Sequence, residues 1–357
     1  MAKLISADLT NKQQWASNKQ CVIQYTTTDG EMLSSNGYGK KVIGDFAFDA
    51  KVVSHTYTNV GKIVFDKPIT IIRDFAFNLC RGLTSIAIPD SVTKIGRSAF
   101  EGCTRLINII IPESVEEIGE EAFCNCISIT SITIPKNVNK IGRRAFSECD
   151  SLISATIPDG ITSIEFGVFE RCKSLKSINI PNSVTTIKAD AFCLCESLAS
   201  LNLPNNVETI GSRAFFGCSS LKNITIFNTV TDIGDEAFAW CKGLINVTIG
   251  DNVLSIGKGA FTGCNNLTHI TIPNAIKTIG VEAFEYCSGL TNVIIGYNVI
   301  EIGTRAFNRC NIDTLVCYPK NPPRIKEIKD FGNFKKLIVQ TGCENAYINS
   351  DWGIYLE

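Results

Sequence analysis

Long apolar runs are missing from this chain. A membrane-spanning helix needs about 18–20 largely apolar residues. The longest runs here resemble Leu106–Ile111, which ends at Pro112. The opening residues, Met1 to Asp8, lack the apolar centre of a secretion signal. The chain is therefore expected either to stay inside the cell or to be a mature form whose leader was removed. An excess of one charge is also missing. The 34 Lys and Arg face 35 Asp and Glu, for a net charge of −1. That balance provides no field to draw the chain to nucleic acid or to an anionic lipid surface. Histidine is scarce, with only His55 and His269. There is no H-E-x-x-H, G-x-S-x-G or G-x-x-x-x-G-K-[ST], so the motifs of zinc peptidases, serine hydrolases and P-loop proteins are absent. A Cys/His nucleophilic pair would have to use one of the two histidines.

What is present is one unit, C-x-x-L-x-x-I-x-I-P-x-x-V-x-x-I-G-x-x-A-F-x-x, 23 residues long. Eleven cysteines keep that step: Cys80, Cys103, Cys126, Cys149, Cys172, Cys195, Cys218, Cys241, Cys264, Cys287 and Cys310. The Phe of the A-F pair keeps it too, from Phe77 to Phe307. A length of 357 residues would otherwise allow two or three domains. A fixed period over so long a stretch predicts a solenoid with one continuous core, because each coil can bury its apolar face only against its neighbours. Residues 41–319 read as the solenoid, with 1–40 and 320–357 as caps that close its ends.

Within a unit, Ile86 and Ile88 alternate with Ser85 and Ala87, the period of a strand with one buried face. Pro89 ends it, since proline cannot donate a ladder bond. Val92 and Ile95 point inward, and Gly96 marks an unusual dihedral or a close approach. Ala99-Phe100 reads as a short helical turn. Parallel pairing of eleven such strands at about 4.8 Å predicts a sheet on the order of 50 Å long. Before the first Cys, a degenerate coil carries Val60, Ile63, Phe65, Ile69 and Ile72. Six extra residues there read as a surface loop around Ala50–Tyr57.

The sixteen cysteines invite a redox reading, but an odd ladder of eleven among Leu, Ile and Phe fits buried thiols that donate weakly to carbonyls. Two C-x-C pairs, Cys124/Cys126 and Cys193/Cys195, lie three coils apart, too far to share one zinc ion. No metal and no cofactor is expected. Paired carboxylates such as Glu120-Glu121 and Asp235-Glu236 would matter for glycoside chemistry only in a cleft. In one register the signs alternate between neighbouring coils, Glu121 with Arg144, Asp190 with Arg213 and Glu236, and Glu282 with Arg305. That keeps like charges apart in a stack of identical units.

The unit resembles the 23-residue leucine-rich repeat of the BspA-like, or Treponema pallidum-type, class over residues 57–319. Cys21-Val-Ile-Gln-Tyr-Thr-Thr-Thr-Asp-Gly30 is similar to the amino-terminal segment of such proteins in Bacteroides-like gut bacteria. Pro322-Pro323, Leu337-Ile-Val339, Glu344-Asn-Ala-Tyr347 and Trp352 are similar to their closing cap. The resemblance implies a leucine-rich-repeat solenoid: a right-handed stack of 23-residue coils with a parallel β-sheet on one face and short helical or extended segments on the other. It further implies a secreted or cell-surface protein in adhesion, non-enzymatic, that binds a host or bacterial surface protein. A glycan-binding or glycan-processing surface component and an intracellular scaffold are the alternatives.

Function must lie where the repeat can vary. The outward strand columns carry Ser, Asn and Thr, suited to adaptable hydrogen bonding and poor for phosphate. His269 falls in such a column and reads as one more exposed polar residue. Unusual aromatics gather in the later coils. Trp240 and Tyr286 stand where other coils have Gly, Tyr297 where they have Asp, and Phe227 where they have Pro. Exposed aromatics are enriched at binding hot spots. The expected partner surface thus comprises Thr225, Phe227, Trp240, Asn246, Thr248, His269, Thr271, Tyr286, Asn292 and Tyr297. No nucleic acid and no membrane insertion is expected, and the chain is expected to act as a monomer.

Overall fold

Alternation of polar and apolar residues turns each I-x-I segment into a strand. Ser131–Thr133, Ser154–Thr156 and Ser177–Asn179 are each exposed, buried, exposed in turn. They pair in parallel, Ser131 with Ser154 and Ser154 with Ser177, so that equal columns face each other. A computed structural model describes residues 21–30, 33–35, 41–42, 45–325 and 333–353. It is a β-solenoid of about 11 turns with parallel ladders. The strand face is not one unbroken sheet as expected. It divides into shorter ladders, among them Ser131–Asn179, Asn223–Ile249 and the set that begins at His269. Strands of three or four residues supply few ladder bonds. Register is held instead by the apolar columns beneath, in which Leu83, Val92, Ile95, Phe100 and their repeats are fully buried.

A second ladder of two-residue strands runs along another face. Ile71–Ile72, Lys94–Ile95, Glu117–Ile118 and Lys140–Ile141 pair in parallel. A separate eight-stranded ladder begins at Ser163–Ile164 and ends at Arg324–Ile325. The glycine that follows the isoleucine in most of these coils allows close approach. A Cβ on Gly142 would lie 2.3 Å from Glu120 N, and one on Gly119 would lie 2.6 Å from Gly96 C. Coils thus approach more closely than a side chain permits. Glu165 and Lys188 occupy that column in two coils; the ladder is interrupted between Lys140–Ile141 and Ser163–Ile164, and Thr186–Ile187 stays paired on both sides.

The A-F corner is not helical, which corrects the short helical turn expected there. Two residues per coil adopt positive φ, for example Glu121 (56°) and Asn125 (57°). Amides alternate between two destinations. Glu121, Phe123 and Asn125 donate to Arg143, Ala145 and Ser147 of the next coil at 2.8 Å, while Ala122, Cys124 and Cys126 close turns within their own coil. Half of the amides that a helix would use are committed to the neighbouring coil, so no helix propagates. Among the described residues the one α-helix is α1 (Glu344–Ile348) in the closing segment. Its Tyr347 donates to Pro319 O at 2.9 Å, and the Trp352 indole donates to Pro323 O at 2.9 Å.

Beneath the corner, the rings from Phe77 to Phe307 stack with centroids 5.0–5.6 Å apart and planes within 12°. Beside them, the thiols from Cys103 to Cys310 donate to phenylalanine carbonyls of the preceding coil at 3.1–3.3 Å.

The N-terminal end is built differently. Strand β1 (Val22–Thr27) lies between β3 (Gly61–Phe65) and β4 (Leu83–Ala87), antiparallel to both. Strand β2 (Val52–Tyr57) forms a hairpin with β3. The six extra residues are therefore part of a strand, not a surface loop, because β2 supplies the ladder partner that β3 would otherwise lack. Gly61 leaves room for the Tyr25 ring, whose hydroxyl meets His55 Nε2 at 2.5 Å.

Candidate functional site

The strand columns place their polar side chains outward at fixed register. Asn223 faces Asn246, Thr225 faces Thr248, and His269 faces Asn292. Thr225, Asn246, Thr248, His269, Thr271 and Asn292 are all exposed. Asn246 Nδ2 donates to Asn223 Oδ1 at 2.7 Å, forming one rung of an amide ladder. His269 Nδ1 meets only the hydroxyl of adjacent Thr268 at 3.2 Å among the described residues. It has no thiol beside it in that set.

The four aromatics separate into two groups at opposite ends of the strands. Trp240 and Tyr286 sit just before the periodic thiols Cys241 and Cys287, both at φ 61°. Their rings are 6.3 Å apart and inclined by 29° although two coils separate them in sequence. Gly263 of the intervening coil makes this possible, since a Cβ there would lie 2.6 Å from the Trp240 ring. Trp240 thus leans across a gap that a glycine leaves open, as Leu194 leans over Gly217. Lys242 Nζ lies 5.7 Å from the Trp240 ring centroid and Arg309 Cζ lies 5.3 Å from that of Tyr286. Such cation–π placements contribute about 0.5–1 kcal/mol at exposed sites. At the other end, Tyr297 stacks on Tyr318 at 5.0 Å. Phe227 borders a shallow cleft shared with Thr225 and Thr248. The four rings remain 37–50% exposed.

The structure therefore joins Thr225, Phe227 and Thr248, and joins Trp240 with Tyr286. It does not bring these two groups together. Sequence reasoning missed Lys242, Arg309, Tyr318 and the openings at Gly250 and Gly263. The only signal in the sequence was that Phe227 and Trp240 each precede a glycine one coil later, Gly250 and Gly263.

Other candidate chemistry is tied up in structure. Arg213 pairs with Asp190 at 3.0 Å and with Glu236 at 3.4 Å, and Arg305 with Glu282 at 3.9 Å. Arg144 departs from the expected column pairing and meets Glu170 at 3.2 Å. Asp235 accepts from the Lys258 amide at 2.8 Å. Burial pushes Cys124 up to about 12 and Cys193 up to about 11, with Arg213 partly offsetting the latter. Both are neutral thiols near pH 7, hence poor nucleophiles and poor metal ligands. No group of three or more His, Cys, Asp or Glu suited to a metal occurs among the described residues.

A sequence model of the BspA type leucine rich repeat region matches residues 41–173, 95–222 and 208–331. The chain belongs to this family. No curated protein matches it at a significant level. Among solved structures, a leucine rich cell surface protein from Faecalibacterium prausnitzii is 26% identical with a TM-score of 0.52. That match covers 90% of this chain and 98% of that one. A leucine-rich repeat protein from Bacteroides ovatus is 24% identical with a TM-score of 0.45, covering 86% and 98%. In this BspA-type chain no helix among the described residues is long and apolar enough to cross a membrane.

Proposed function

We propose that this protein is a non-enzymatic adhesin of the bacterial surface that holds a protein partner on its strand face and the aromatics flanking it. The observation that carries this reading is the set of four rings, 37–50% exposed, in columns that elsewhere hold polar or small residues in many coils, such as Gly102, Gly217 and Gly263, Asp90, Asp159 and Asp251, or the strand-ending Pro. A buried ring would need no binding explanation, and a stray exposed one is ordinary. Four within residues 227–297, on both flanks of an amide- and hydroxyl-bearing face, match the composition of binding hot spots. Membership of the BspA-type family and similarity to a cell surface protein support the location. Neutral Asn and Thr columns favour peptide groups over phosphate.

The test replaces Trp240 and Tyr297 with Ser in the full chain and measures binding to an array of extracellular matrix proteins. Trp240→Ser and Tyr297→Ser together are expected to weaken the best interaction at least tenfold, about 1.4 kcal/mol, with the unfolding midpoint retained. Unchanged affinity in the folded double variant refutes the reading.

A further inference from the structure

Two consecutive coils abandon the proline that closes the strand. Pro204 and Pro273 hold that column on either side, but Phe227 and Gly250 stand in it between them. The exchange opens a cleft of about 450 Å³, within the roughly 300–1,000 Å³ typical of ligand sites. Its floor is fixed by close backbone approach, since a Cβ on Gly250 would lie 2.6 Å from Phe227 C. The Phe227 ring, 37% exposed, forms one wall. The rim is polar: Thr225 and Thr248 on the strands, and Asn205, Asn228 and Asp251 on the turns.

We propose that this cleft is a subsite for a neutral saccharide. The reasoning is chemical. A pyranose presents a hydrocarbon face, which an exposed aromatic ring can cover, and an equatorial belt of hydroxyls that both donate and accept. The rim supplies both roles within reach of the ring. The Asp251 carboxylate accepts, an amide Nδ2 donates, and threonine hydroxyls do either. Much of this set is already oriented. Asn228 Oδ1 accepts from the Asp251 amide at 2.8 Å, which turns its Nδ2 away from that bond. Thr229 Oγ1 donates to Val207 O at 2.6 Å, with Asn205 O also within 3.0 Å, which pins the turn wall. Orientation before binding lowers the ordering cost. No Lys or Arg lines the cleft, and the one carboxylate disfavours sulfated, phosphorylated or uronic sugars. The cleft shares Thr225, Phe227 and Thr248 with the proposed protein-binding face, but the two tests are separable, because the protein-binding test changes Trp240 and Tyr297, neither of which lines the cleft.

The structure also supplies a variant suited to the test. Phe227→Pro restores the residue of the preceding coil, Pro204, and Ile226 before it is already in a strand, as a residue preceding proline requires. Isotope-labelled full-length protein is titrated with lactose, maltose, cellobiose and N,N′-diacetylchitobiose while the Thr225 and Thr248 methyl resonances are followed. At least one sugar is expected to shift both methyls saturably. Phe227→Pro is expected to weaken that binding tenfold or more, and Thr248→Val, which keeps shape and removes the hydroxyl, about threefold. Tyr297→Ser is expected to leave it unchanged. Absence of saturable shifts with all four sugars overturns the proposal. So does retained affinity in Phe227→Pro, or in Thr248→Val should the proline variant not fold.

Discussion

Gly142→Ala and Glu165→Gly exchange residues at the same position of two neighbouring coils, and the structure predicts opposite severity. At Gly142 an added methyl would meet Glu120 N at 2.3 Å and Gly119 C at 2.5 Å. Both are backbone atoms of the preceding coil, so the coils must part by about 1 Å. That separation breaks the bond from Gly142 N to Ile118 O (2.8 Å) and that from Asn139 N to Glu116 O (3.0 Å), and loosens the ladder between Glu117–Ile118 and Lys140–Ile141. Two to three backbone bonds at about 1 kcal/mol each amount to about 2–3 kcal/mol. Alanine's stiffer unfolded chain returns about 0.5 kcal/mol. The net expectation is a loss of about 2 kcal/mol. At Glu165 the ladder is already open toward the preceding coil, the side a glycine would relieve. Replacing it with Gly removes an ion pair to Lys188 at 2.7 Å, whose lysine is 46% exposed. That pair is worth about 0–1 kcal/mol. Urea unfolding at 25 °C measures both variants, and hydrogen exchange reads the Asn139 and Gly142 amides directly. The reasoning fails if Gly142→Ala lies within about 0.5 kcal/mol of wild type, or if Glu165→Gly is the more damaging change.

Phe192→Ala empties a fully buried site whose ring stacks on Phe169 at 5.6 Å and Phe215 at 5.4 Å; the loss should be about 3–5 kcal/mol, seen as a lower urea midpoint, and a loss under about 1 kcal/mol would show that the stack collapses around the gap. The buried thiols predict alkaline lability: burial pushes Cys80 up to about 12 and raises Cys103, Cys126, Cys172 and Cys195 as well. An unfolded thiol ionises near pH 8.5. Above that the unfolded state binds fewer protons than the native one, so stability is full below pH 8.5 and falls toward pH 12. Each thiol contributes a slope of up to about 1.4 kcal/mol per pH unit. Urea midpoints from pH 7 to 11 check this, and Cys195→Ala should flatten the fall.

The repeat made most of the fold legible. Cys, Leu, Ile and Phe columns at a step of 23 determine which residues are buried, because a stack of identical coils has no other place for them. The buried thiols and their carbonyl bonds follow from the same register. The sequence also marked which coils depart from the pattern, at Phe227, Trp240, Tyr286 and Tyr297. Contacts across coils were decided only in three dimensions. The A-F corner reads as helical by local composition, but its amides serve the next coil, and an intercoil bond outweighs a local preference. Strand β1 slots between β3 and β4 because pairing satisfies edge groups that no local pattern reveals. The split of the aromatics into two groups, and the cleft beside Phe227, depend on glycines one coil away in space. Sequence spacing determined what each coil is made of; the distance between backbones of successive coils decided which of those residues meet.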